Sequence, residues 1–131
     1  MRAPLAIISA LLGAVTLACF SERGAGPGGN SAAECSVPVT VIDSMNFIVA
    51  IRDFAFRPDS IRVPPGATVT WINCETPPQE PHTTTSDSSS LWSSTDLNPG
   101  DRFSHTFPDP GVFPYHCIPH LGIMAGKVVV Q

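Results

Sequence analysis

The sequence predicts an all-β fold, an antiparallel Greek-key β-sandwich. Short runs rich in Val, Thr and Ser recur along the chain, and turn-forming residues separate them. The chain of 131 residues holds 14 prolines and 10 glycines, and no stretch sustains the apolar period of about 3.6 residues that marks a helix. Short strands at regular spacing with turns between them are typical of two packed sheets.

The first half of the chain supplies three predicted strand regions. "FIVAIRDFAF" and "DSIRV" are the first two, and the second ends at the strong turn signal of residues 64–66, Pro-Pro-Gly. "ATVTWIN", from Ala67 to Asn73, alternates as a strand packed on one face does, with Trp71 in the core. The acidic, proline-rich insert "CETPPQEP" that follows cannot continue a central strand.

The second half supplies "HTTTSD", "DRFSHTF", "VFPYHC" and "GKVVVQ" as strands. In "DRFSHTF" the side chains of Phe103, His105 and Phe107 share one face, which favours a structural role for His105. The serine-rich loop "SDSSSLWSST" carries Trp92, for which we expect partial exposure.

Residues 1–18 are predicted to be a signal peptide, because one basic residue precedes an apolar run too short for a comfortable membrane span. The end of that run, "VTLAC", resembles a bacterial lipobox, in which Cys19 becomes the lipidated first residue, with ordinary cleavage as the alternative. Residues 19–34 hold too little apolar surface to pack and are expected to be a flexible tether. Residues 35–131 form the predicted domain. The protein is therefore expected to be periplasmic or on the cell surface, touching a membrane only through a lipid anchor.

The charge balance argues against a nucleic-acid-binding protein. The chain has 11 acidic and 7 basic residues and a net charge of -4, whereas such a protein carries a basic stripe. The length suits one domain with a short leader, and we expect a monomer.

Two cysteines remain unassigned once the leader boundary and the C-terminal motif are set aside. Cys35 and Cys74 could form a disulfide in an oxidising compartment, tying the first strand of the domain to the end of a later one. The sequence alone equally allows two free thiols.

The segment "YHCIPHLGIMAGKVVV", residues 115–130, gathers side chains that bind soft metals. His120 follows Cys117 by three residues, and Met124 follows it by seven. A loop between the last two predicted strands can aim a thiolate, an imidazole and a thioether at one point. Strand alternation turns His116 to the opposite side, so it is not expected to be a ligand.

A fourth ligand must come from elsewhere, and His82 is the best placed of the other histidines. It lies where the proline-rich insert meets the "HTTT" strand, at a strand end that should lie near the Cys–Met loop. Two histidines, one thiolate and a weak axial thioether form the ligand set of a blue-copper electron-transfer centre. Soft sulfur suits Cu(I), and imidazole with thiolate suits Cu(II), so a rigid scaffold can serve both states.

These residues resemble the cupredoxins, in particular the plastocyanin and amicyanin group, in which a Cys-x-Pro-His segment leads to Met and then Gly-Lys-Val. "FAFRPDSIRVPPGATVTWIN", a later Pro-His and "LNPGDRFSHTFPDPGVFPYHC" extend the resemblance over residues 46–131. The resemblance implies one type 1 copper per chain, held by His82, Cys117 and His120 with Met124 as the axial ligand.

Two departures from the family pattern lie beside His82. Thr83 follows His82 where the family often has an asparagine, so the contact made by that asparagine must be replaced or weaker. The insert before His82 is expected either to shield the site or to present Glu75 and Glu80 to a partner.

The resemblance implies an exported carrier that moves single electrons between redox proteins by Cu(II)/Cu(I) cycling, without enzymatic activity. Donor and acceptor proteins would dock at the edge of His120, among Leu121, Ile123 and Pro81. A module for copper storage or delivery is the alternative, and it would favour an open site rich in Met and His. A copper oxidase or nitrite reductase would favour His-x-His pairs, which this sequence lacks.

Overall fold

A computed structural model describes Cys35, residues 40–76, Pro78, residues 80–88 and residues 90–131. The predicted signal peptide, tether and lipidation site at Cys19 lie outside these residues. Within them, no helix is long and apolar enough to span a membrane. The elements in chain order are β1 (Thr40–Asp43), β2 (Asn46–Arg52), β3 (Ala55–Arg57), β4 (Ser60–Val63), β5 (Ala67–Asn73), β6 (Thr85–Ser86), β7 (Arg102–Phe107), β8 (Gly111–His116), a 3₁₀ helix (Ile118–His120) and β9 (Ala125–Val130).

The strands form two sheets, which confirms the predicted β-sandwich. One sheet has the order β1-β2-β5-β7 with β3 paired to β2, and the other has the order β4-β9-β8-β6. Both sheets are mixed and not purely antiparallel, because β2 pairs with β5 and β4 pairs with β9 in parallel, while the other pairs are antiparallel as predicted. Parallel neighbours need a crossover connection. For β2 and β5 this connection includes β4, since the chain leaves the first sheet after β3, forms β4 in the second sheet and then returns as β5.

The predicted strand "FIVAIRDFAF" is two strands joined by a tight hairpin. Asp53 and Phe54 have φ angles of 53° and 54°, and Arg52 pairs directly with Ala55. Two successive left-handed residues reverse the chain within two positions, as in the favoured hairpin turns. Glycine, asparagine or aspartate usually occupies such positions, so Asp53 fits the turn, whereas Phe54 gives no turn signal.

The core between the sheets is aromatic. Trp71 is fully buried and contacts Tyr115, with ring centroids 5.3 Å apart. The expected partial exposure of Trp92 was wrong, because its indole stacks on Trp71 at 5.8 Å and on His105 at 4.9 Å. The indole N–H of Trp92 also donates to Thr84 Oγ1 at 3.2 Å, so its polar edge is satisfied inside the protein.

A disulfide joins Cys35 to Cys74, with their Cα atoms 5.5 Å apart. It ties the chain before β1 to the residue that follows β5, and Arg52 donates a hydrogen bond to the Cys35 carbonyl. Glu75 comes directly after this anchor, so the disulfide fixes the start of the proline-rich insert.

We expect the Cys35→Ser/Cys74→Ser double variant to lose about 3–4 kcal/mol in the free energy of unfolding. The cross-link spans a sequence separation of 39 residues, and its removal restores conformational freedom to the unfolded chain. Guanidinium unfolding of the metal-free protein measures the change, and adding a thiol reductant should destabilise only the wild type. Equal stability of variant and wild type would contradict this role.

Candidate metal centre

Three predicted ligands meet at one end of the sandwich. The Nδ1 atom of His82 lies 3.8 Å from Cys117 Sγ, and the Nδ1 atom of His120 lies 3.4 Å from it. One candidate ligand atom from each of these residues lies within 4.8 Å of the others. His116 is outside this group, and its Nδ1 instead bonds Asp87 Oδ1.

A tight loop reverses the chain between the antiparallel strands β8 and β9, and it brings Cys117 and His120 together. Cys117 precedes the 3₁₀ helix, with Pro119 in the first turn, where its missing N–H costs no helical bond. The N–H of Cys117 donates to the Met124 carbonyl at 3.1 Å, and the N–H of Met124 donates to the His120 carbonyl at 3.1 Å. Gly122, with φ 81°, takes the left-handed conformation that the return needs.

His82 is held by a short backbone ladder on the other side of the site. Its N–H donates to the Leu97 carbonyl at 3.1 Å, and Leu97 returns a bond to the His82 carbonyl at 2.8 Å. The side-chain amide of Asn73, at the end of β5, donates to the same Leu97 carbonyl at 2.7 Å. The ring of His82 is fully buried, so its position is fixed by packing as well.

Met124, the predicted axial ligand, is also buried and belongs to the same apolar cluster as Cys117. Its main chain closes the ligand loop through the bonds to Cys117 and His120. A thioether fixed at this point of the loop suits the role of a weak fourth ligand.

Thr83 connects the two halves of the site. Its N–H donates to Cys117 Sγ at 3.3 Å, and its hydroxyl oxygen accepts a bond from the N–H of Ile118 at 2.8 Å. The threonine therefore joins the segment of His82 to the segment of Cys117. The threonine hydroxyl thus supplies a contact at the position where the resemblance led us to expect one that was replaced or weaker.

The outer nitrogen of each imidazole faces a glutamate. His82 Nε2 lies 3.5 Å from Glu75 Oε1, and His120 Nε2 lies 3.6 Å from Glu80 Oε2. The Glu75 side chain is 5% exposed and that of Glu80 is 72% exposed. Of the two alternatives expected for the insert, shielding fits Glu75, because the chain after the disulfide turns its carboxylate inward, and presentation to a partner fits the exposed Glu80.

Burial lowers the pKa of His82 below its ordinary value. The neighbouring His120 lowers it further, and Glu75 acts in the opposite direction. The His82 ring is therefore neutral at pH 7, with one ring nitrogen free to donate a lone pair to a metal.

Phe54 was missed by the sequence analysis. Its ring makes edge-on contacts with both imidazoles, with centroids 5.4 Å from His82 and 5.1 Å from His120. The left-handed hairpin turn brings it there, and Phe54 itself is no signal of such a turn. The ring packs against both imidazoles from the hairpin between β2 and β3.

The donor set fits copper. A buried thiol without a disulfide in the described part of the chain, two imidazoles and a buried thioether form a soft site. Structural zinc sites use thiolates and imidazoles and leave no place for a weak thioether.

Comparisons with known proteins agree with this site. The family described as copper binding proteins of the plastocyanin/azurin family matches residues 43–131. Amicyanin of Paracoccus denitrificans is 29% identical over 126 residues, covering 95% of each chain. Plastocyanin of Scenedesmus fuscus is 34% identical over 87 residues, covering 58% of this chain and 86% of that protein.

Solved structures give the same result. A purple cupredoxin from Nitrosopumilus maritimus is 31% identical, with a TM-score of 0.58 over 64% of this chain and 98% of that one. An amicyanin mutant in its reduced Cu(I) form at pH 4 is 32% identical, with a TM-score of 0.59 over 70% of this chain and 86% of that one. Sequence, fold and donor set thus agree, and the chain belongs to the plastocyanin/azurin family of copper-binding proteins, the cupredoxins.

Proposed function

We propose that the protein is an exported electron carrier in which His82, Cys117, His120 and Met124 hold one copper ion. The observation that carries this proposal is the cluster of two imidazoles and a thiol, with ligand atoms within 4.8 Å of one another. Copper, when bound, supplies a one-electron Cu(II)/Cu(I) couple. Ligands that are already assembled need little movement between the two states.

The hydrogen bonds around the ligand loop support a rigid site. Cys117 Sγ accepts a hydrogen bond from the N–H of Thr83, and backbone hydrogen bonds within the loop close it between Cys117 and Met124. Each ligand segment is thereby held by groups other than a metal. A rigid site of this kind suits fast electron exchange better than copper uptake and release.

The surface around His120 supports docking of redox proteins. The His120 side chain is 13% exposed, so one edge of the ring reaches solvent. Several large apolar residues near it in sequence or space are also exposed, namely Phe54, Ile118, Leu121 and Ile123. A small apolar surface of this kind fits the brief contacts that electron carriers make.

The histidines support a carrier over a copper enzyme. The whole chain has four; two form the cluster with Cys117, while His105 stacks on Trp92 and His116 bonds Asp87. A catalytic copper centre would need further imidazole ligands, and none remains. The burial of His82 and Cys117 also argues against an open site for copper delivery.

The leader supports the location that we propose. Residues 1–18 are assigned as an export signal, Cys19 as a lipidation site and residues 19–34 as a tether for the domain of residues 35–131. An oxidising compartment agrees with the disulfide between Cys35 and Cys74. We propose that the carrier works as a monomer in the periplasm or at the cell surface.

We expect Cu(II) to give the wild type an intense visible thiolate-to-copper band and a reversible one-electron wave, with one copper per chain. Cys117→Ser should abolish the band because it removes the thiolate. His116→Gln should keep it, because that ring is paired with Asp87 outside the cluster. Visible and EPR spectroscopy with voltammetry measure both. A band that survives in Cys117→Ser would contradict the proposal.

We expect Thr83→Val to lower the free energy of unfolding of the metal-free protein by about 1–2 kcal/mol. The change leaves the partly buried N–H of Ile118 without its acceptor. Thr83→Ser keeps the hydroxyl and should lose less than half as much. Denaturant unfolding measures both variants, and equal losses in the two would show that the hydroxyl does not join the segments.

A further inference from the structure

A carboxylate is buried directly behind the proposed copper site. Glu75 lies on the side of His82 that faces away from Cys117, and its side chain is 5% exposed. Moving an ionised carboxylate out of water is costly unless new hydrogen bonds replace those to water. An apolar side chain of similar volume would avoid this cost, so packing alone does not account for a glutamate here.

Neighbouring groups fix the position of Glu75. The N–H of Phe54 donates to Glu75 Oε1 at 2.9 Å, and the N–H of Glu75 donates to Asn73 Oδ1 at 3.0 Å. The residue before it, Cys74, is anchored to Cys35 by the disulfide. Both the main chain and the carboxylate are therefore oriented by the fold.

The oriented carboxylate meets a buried nitrogen that needs an acceptor. Glu75 Oε1 lies 3.5 Å from His82 Nε2, and that nitrogen forms no hydrogen bond of good geometry with any described residue. The other ring nitrogen, Nδ1, faces Cys117 Sγ. Coordination through Nδ1 places the ring proton on Nε2, and shortening by about 0.3 Å would bring the contact into hydrogen-bond range.

We propose that Glu75 is a positioning residue of the copper centre that accepts the Nε2 proton of His82 and holds the ring with Nδ1 toward Cys117. This inference rests on the proposed function, in which His82 binds copper. A carboxylate behind a ligating imidazole fixes its tautomer and raises its basicity. A more basic ligand with a negative charge behind it favours Cu(II) over Cu(I), so Glu75 lowers the reduction potential.

Glu80 provides a matched control. Its Oε2 atom lies 3.6 Å from His120 Nε2, nearly the same distance, but its side chain is 72% exposed. Water and salt screen a charge at that position. Glu80→Gln therefore makes the same chemical change beside the other imidazole without removing a buried, oriented acceptor.

The experiment compares the copper-loaded wild type with its Glu75→Gln and Glu80→Gln variants. Glutamine keeps an oxygen for the Phe54 N–H but removes the charge. We expect Glu75→Gln to shift the Cu(II)/Cu(I) equilibrium about tenfold toward Cu(I), which is about 59 mV for one electron. Glu80→Gln should shift it less than threefold. In NMR spectra of the Cu(I) form, the Nε2–H signal of His82 should move upfield and exchange faster only in Glu75→Gln.

The outcomes separate this inference from the proposed function. An unchanged potential and Nε2–H signal in Glu75→Gln, with the copper–thiolate band intact, would overturn the role of Glu75 alone. Equal shifts in both variants would overturn it too, since net charge would then account for them. A wild type without the band would overturn both proposals. If Glu75→Gln does not fold, Glu75→Asp withdraws the carboxylate by one methylene, and a raised potential there supports the role while a wild-type potential overturns it.

Discussion

The central constraint on this protein is that a thiol and two imidazoles must lie together in its interior before any metal holds them. Each group needs partners for its polar atoms, or its burial would destabilise the fold. Cys117 Sγ accepts a hydrogen bond from the N–H of Thr83. The main chain of His82 is fixed by two backbone hydrogen bonds with Leu97. Each sheet contributes one segment, since His82 follows β5 of the first sheet and Cys117 and His120 follow β8 of the second. The apolar core then carries the stability that the polar site does not supply.

Those elements of the fold that bury one face could be predicted from the sequence. β5 and β7 alternate between inward and outward side chains, and their observed limits, Ala67–Asn73 and Arg102–Phe107, lie close to the predicted runs. The division of the first long run could not be predicted, because Phe54 adopts a left-handed conformation that its residue type does not favour, and Asp53 alone is a weak turn signal. The parallel pairs could not be predicted either, because the choice of neighbouring strands within a sheet depends on the path of the chain and not on local alternation.

Some residues of the site could be predicted from neighbouring positions in the sequence, whereas others come from distant segments. Cys117, His120 and Met124 share one loop, so their spacing alone points to a metal. His82 lies 35 residues from Cys117 in sequence, and it was selected by its place at a predicted strand end together with the family resemblance. Glu75 and Phe54 meet His82 through a turn between β2 and β3 and a loop after β5. No spacing rule links such segments, so their contacts emerge only from the three-dimensional structure.

The fold assembles the proposed copper ligands by itself, without help from the metal. Crystal structures of the metal-free and copper-loaded protein, the second with anomalous data at the copper edge, test this claim directly. We expect one strong anomalous peak among His82 Nδ1, Cys117 Sγ and His120 Nδ1, with the same rotamers of these side chains in both structures. A peak elsewhere on the chain, or a ligand loop that changes its backbone path to reach the copper, would contradict it.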